Sequence, residues 1–130
     1  MIVASTLMDD NRFYALFGAA LKTNNRDEYI SDYALSSIWG DAEGDEIPAQ
    51  RVEDLGAIWD VAHASIRDIR AHTGLKRTDF AARYLIPYRT MENWERGDAQ
   101  CPDYLRLLLA QATGFYRRPE GSKMKTKEER

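Results

Sequence analysis

Cysteine occurs once in this chain, at Cys101, and histidine twice, at His63 and His72. One cysteine excludes an intrachain disulfide framework and suits a reducing cytoplasm. Beside Pro102 at a helix start, Cys101 reads as a small packing residue, not a nucleophile. The two histidines have no set of cysteine partners, and their spacing matches no zinc motif, so no metal site is expected. No apolar run approaches the ~20 residues of a membrane helix. The opening Met1-Ile-Val-Ala has neither the basic start nor the apolar stretch of a signal peptide. A soluble, cytoplasmic protein without a membrane partner is therefore expected. Gly-rich phosphate loops, serine elbows and HExxH are all missing. The acidic pairs Asp9-Asp10 and Asp45-Glu46 fall in exposed starts or loops. The expectation is a non-enzyme with no catalytic residues and no cofactor.

What the chain does have is charge, unevenly divided. Its 130 residues suit one domain, or a small domain with a sizeable extension. The net charge of −3 conceals the division. Residues 1–64 carry four Lys/Arg against twelve Asp/Glu, a balance of −8. Residues 65–118 carry ten against six, a balance of +4, and the last twelve come to +1. Such a split is expected where only one part meets phosphate. The plainer alternative is that these charges only solubilise helical faces.

Helical periodicity runs through most of the sequence. Residues 9–23, with Phe13, Leu16, Phe17, Ala20 and Leu21 on one face, predict an amphipathic helix led by acid. Residues 26–39 predict a second, with Tyr29, Ile30, Tyr33, Ala34, Ile38 and Trp39 at helical spacing and Gly40 as its stop. A polar loop reaches Glu46. Pro48 suits the first turn of a third helix that carries Val52, Leu55, Ile58, Trp59 and Ala62. Ser65-Ile-Arg-Asp68 has the form of a capping box and divides this helix from the next, a single long helix being the alternative. The fourth ends at Gly74. A last helix begins at Pro102, with Tyr104, Leu105, Leu108, Leu109 and Ala112 as its buried stripe. The aromatic residues Phe13, Phe17, Tyr29, Tyr33, Trp39 and Trp59 belong mostly to an N-terminal core. Residues 117–130 have almost no apolar content and read as a flexible polar tail.

Between these lies the segment that matters most, residues 75–97. Phe80, Ala81 and Tyr84, then Met91 and Trp94, mark two short helices turned toward a core. Ile86-Pro87 forces a break between them, because proline drives its predecessor out of the helical region. Gly97 offers the left-handed conformation that ends a helix. A short helix, a tight turn and a second short helix make a helix-turn-helix.

Leu75, Phe80-Ala81, Ile86, Arg89-Thr90, Met91 and Trp94-Glu95-Arg96-Gly97 together resemble the phage-repressor (Cro-repressor-like, Xre-type) helix-turn-helix family. The resemblance spans about residues 65–115, back to Arg70 and on through Pro102, Tyr104-Leu105 and Leu108. It implies a compact four-helix DNA-binding domain over 65–116; with the about three helices that periodicity gives the acidic N-terminal extension over 1–64, a segment for dimerisation or partner contact, the expected fold is all-α. The resemblance also implies double-stranded DNA as the partner, and a homodimer whose second helices read half-sites about one turn (~34 Å) apart.

Carried over position by position, Tyr88, Arg89, Glu92 and Asn93 are the candidate base contacts. Arg89 would donate to a guanine edge and Asn93 pair with an adenine. Lys76, Arg77, Thr78, Thr90 and Arg96 are the candidate phosphate contacts, which set register and salt dependence. Arg77 stands where the family commonly has a glutamine gripping a phosphate. Arg70 and Glu95 match a structural salt bridge tying the domain's first helix to the recognition helix. Three positions depart from the family pattern, one of them Tyr88, which is bulkier than the usual polar residue. Leu85 replaces the usual turn glycine, so the turn is either remodelled or strained. Pro87 replaces the usual serine or threonine cap. The expected function is transcriptional regulation by sequence-specific DNA binding. The alternative is an antitoxin-like or inhibitory module that holds a protein partner through its acidic N-terminal half.

Overall fold

The computed structural model describes residues 8–42 and 44–119. Among these the chain is all-α, with seven α-helices and no strand. It packs as two units, one running to His63 and taking in Arg118, the other Ala64–Arg117.

The first unit is built from α1 (Asp10–Lys22), α2 (Arg26–Ala34) and α3 (Ala49–Ala62). Asp9 and Asn25 cap the first two helices by accepting from the backbone N–H of Arg12 and Glu28. Leu16, Tyr29, Trp39, Leu55 and Ile58 fill the core. Two of its aromatic polar groups are satisfied within it: Tyr29 Oη donates to the Leu16 carbonyl at 2.7 Å, and Trp59 Nε1 to that of Thr23 at 2.8 Å.

Four expectations are corrected here. The second helix does not reach residue 39. It stops at Ala34, and Ser37–Trp39 form a separate 3-10 turn capped by Ser36. Trp39 Nε1 donates back to the Tyr33 carbonyl at 2.7 Å, so the chain must fold over to bury that indole. Pro48 caps α3 from outside its first turn. Val52 is exposed, and its neighbour Arg51 is buried instead. Arg51 donates to the Ala34 carbonyl at 3.0 Å, pairs with Asp41 and lies over the Trp39 ring. Those hydrogen bonds hold the C-terminal end of α2 against the start of α3 and hold the Asp41 carboxyl below its ordinary pKa. Arg118, assigned to the tail from sequence, pairs with Asp10 at 2.9 Å and covers the Phe13 ring. Residues 120–130 of that tail lie outside the described residues.

The second unit holds α4 (Ile66–Thr73), α5 (Arg77–Arg83), α6 (Tyr88–Arg96) and α7 (Asp103–Ala112). Ser65 and Asp68 form a full capping box at the start of α4, which separates it from α3. Ile66, Ile69, Phe80, Ala81, Met91, Leu109 and Ala110 make the core. On α7 the expected buried stripe is rotated. Tyr104 and Leu108 are 69% and 56% exposed, while Arg106 is buried, donating to the Ala64 carbonyl at 2.8 Å and pairing with Asp103. A buried arginine that ties α7 to the residue before Ser65 overrides the apolar pattern.

Candidate nucleic-acid interface

The α5–turn–α6 segment is closed by two backbone hydrogen bonds. Ile86 N–H donates to the Ala81 carbonyl at 2.8 Å and Leu85 N–H to that of Ala82 at 3.3 Å. This is a Schellman ending, whose left-handed position glycine usually fills. Leu85 occupies it at φ 58°, the one non-glycine residue with positive φ among those described, and its side chain is 89% exposed. The turn keeps the helix-ending geometry and tolerates the strain. Pro87 then starts α6 with no side-chain cap, and Gly97 ends it at φ 84°.

The inner side of α6 is locked by Met91, which is fully buried, and by Glu95, whose side chain has no exposed surface. Trp94 is half-buried. Glu95 Oε2 accepts from Arg70 Nε at 2.6 Å and Oε1 from an Nη of the same guanidinium at 3.0 Å, a two-pronged pairing of α4 with α6. Arg70 also donates to the Leu75 carbonyl at 3.0 Å. Burial pushes the Glu95 carboxyl up, but hydrogen bonds and charge from Arg70 and Arg77 outweigh it and hold the pKa below its ordinary value.

Arg77 is not a free arm at the start of α5. Its Nε lies 3.2 Å from Glu95 Oε1, and Tyr88 is its other polar neighbour. The Tyr88 contact and Glu95 raise its pKa against the lowering effect of burial. Arg67 was not singled out in the sequence, yet its Nε reaches to 3.7 Å from the same Oε1. The available signal was its place three residues before Arg70, on the same face of α4.

On the outer side of α6, the Arg89 side chain is 83% exposed and only loosely paired with Glu92, at 4.0 Å. Glu92, Asn93 and Thr90 are half-buried, and Tyr88 is exposed. Arg96 pairs with Asp98 at 3.4 Å beyond the end of the helix. Lys76 and Thr78 are exposed at the start of α5. Burial pushes the Cys101 thiol up to about 11, against the opposing pull of Arg106, so it stays protonated at neutral pH. His72 lines a cleft of about 330 Å³ with Thr73, Arg83, Tyr84 and Thr113. Among the described residues no three His, Cys, Asp or Glu side chains gather as a metal ion requires, and no helix is long and apolar enough to cross a membrane. No family model, curated protein or solved structure matches the chain.

Proposed function

We propose that the chain is a sequence-specific DNA-binding transcriptional regulator of the phage-repressor helix-turn-helix type, acting by occupying an operator. The observation that carries this reading is Arg89. Its guanidinium stands free of the surface on a helix whose opposite side is clamped by Met91 and the Arg70–Glu95 pair. A rigid helix with an unburied arginine is what a major-groove reader needs, since the fork of donors matches guanine O6 and N7. Asn93, Glu92 and Tyr88 flank it as further base contacts. Lys76, Thr78, Thr90 and Arg96 serve the backbone, and residues 65–118 supply the net positive charge that the polyanion requires. In this reading two copies read a palindromic site, and the uncharged line Tyr104, Leu108 and Ala112 on α7 is the apolar surface that a second copy has to cover.

The test is selection from a random duplex pool, with wild type beside Arg89→Ala and Asn93→Ala. A common site that both substitutions weaken, by ~1–3 kcal/mol per base contact, is the expected result. Weak binding without preference that disappears at moderate salt would sink the reading.

A second reading is favoured by the N-terminal unit. It joins the −8 balance of residues 1–64 to exposed Leu35, Ile47 and Val52. Acid around apolar side chains suits a basic protein partner, with DNA binding then only autoregulatory. Capture of such a partner by a chain that shows no DNA preference would establish this alternative.

A further inference from the structure

Three guanidinium groups converge on one carboxylate in the second unit. Arg70 commits all three of its guanidinium nitrogens there, with two hydrogen bonds to Glu95 and one to the Leu75 carbonyl. Arg67 and Arg77 are not. Each turns its Nε toward Glu95 Oε1, at 3.7 and 3.2 Å, and one Arg67 Nη makes a long 3.4 Å contact with the Glu95 carbonyl. Those two distances to one oxygen cap the separation of the Nε atoms at about 7 Å. The pair therefore holds like charges close together, and one buried carboxylate shared among three arginines leaves two positive charges unbalanced. Arg67 is 60% exposed and Arg77 27%, so both still face solvent.

We infer that Arg67 and Arg77, positioned by Glu95, form a site for one phosphodiester of the DNA backbone. The inference rests on the DNA reading above and adds Arg67, from outside the two motif helices, to the contact set. A phosphate between the two guanidinium groups removes their mutual repulsion and takes N–H donors from both, as paired arginines do wherever phosphate is gripped. Glu95 then has two jobs. It braces α6 from α4 and aims Arg77, so the recognition helix and its backbone anchor move as one body.

The experiment uses the full chain and the duplex recovered by selection, with affinity measured at about 50 and about 200 mM salt. Each phosphate contact contributes ~0.9 to the slope of log affinity on log salt. Arg67→Gln should therefore lower that slope by ~0.9, so that the fourfold salt rise costs the variant roughly 3.5-fold less affinity than it costs wild type. Base preference should be unchanged, and Arg67→Lys should restore most of the slope. A parallel titration with inorganic phosphate, followed at the arginine Nε–H signals, should move Arg67 and Arg77 and leave Arg89 still. If Arg67→Gln keeps the wild-type slope on a duplex that wild type binds specifically, Arg67 is a structural partner of Glu95 and the site is overturned. A uniform response of all exposed arginines to phosphate also overturns it. Should wild type show no DNA preference at all, the regulator reading fails, and the titration alone decides whether the anion site exists.

Discussion

Glu95 concentrates the energetics of the second unit in one side chain. Its carboxylate is out of reach of water and survives because Arg70 and Arg77 offset the desolvation that burial imposes. Glu95→Gln removes the charge while keeping the shape, leaving arginines packed against a neutral amide. A broken buried pair typically costs about 3–5 kcal/mol, and the partial exposure of Arg70, 21%, places this one near ~3 kcal/mol at neutral pH. The pH dependence follows from the direction of the shift. A carboxyl whose folded pKa is lowered stabilises the fold fully above the unfolded value of about 4.3. That contribution is lost as pH falls through the depressed folded value. Urea midpoints of wild type and Glu95→Gln should thus be well separated at about pH 7 and converge toward about pH 3. A separation that stays constant across that range would mean the pairing contributes nothing through charge.

At the scale of elements, the turn between α5 and α6 shows where local chemistry yields to the fold. Leu85 gains nothing from burial and sits in a backbone region that costs an L-residue roughly 1–2 kcal/mol. Glycine avoids that strain but brings more entropy to the unfolded chain, so Leu85→Gly should stabilise by roughly 0.5–1 kcal/mol. Thermal melting checks this, and an unchanged or lower midpoint would show that the leucine makes a contact that offsets its strain. The helix-turn-helix was legible in advance because its signals are local: Ile86-Pro87, Gly97, and apolar spacing over two short helices. The capping box at Ser65 was legible for the same reason. What periodicity misread were the helix faces set by buried arginine. Arg51 and Arg106 each take a core position because a guanidinium can satisfy carbonyls at or just beyond a helix end, those of Ala34 and Ala64, that no apolar residue can. Once they turn inward, Val52, Tyr104 and Leu108 are left outside. No hydrophobicity count contains that information, because the partner carbonyl lies 17 or 42 residues away in sequence.

For the whole molecule, the proposed DNA reading raises the question of why the chain carries so much acid. Residues 1–64 and 65–118 differ by twelve charges, from −8 to +4, and the net sign opposes DNA. Two accounts make different predictions. If the acid acts on DNA binding, it lowers encounter by repulsion and so sharpens dependence on the basic unit, an effect that reaches about a Debye length, ~10 Å at 0.1 M salt. If it serves a basic protein partner, its removal leaves DNA affinity alone. Asp32, Glu46 and Glu53 separate the two, because each is exposed and all three lie in the acidic segment. None of the three is packed into the core, so replacing their carboxylates with neutral amides removes charge and leaves the fold intact. The triple variant Asp32→Asn, Glu46→Gln, Glu53→Gln should bind the selected duplex a few-fold more tightly at about 50 mM salt and nearly equally at about 200 mM, since mobile ions screen exposed charges first. The preferred sequence should not change, because the substitutions lie far from α6 in the chain and alter only the long-range field. Equal affinity at both salt concentrations would assign the acid to a protein surface, and the exposed Leu35, Ile47 and Val52 would then be the side chains to substitute next.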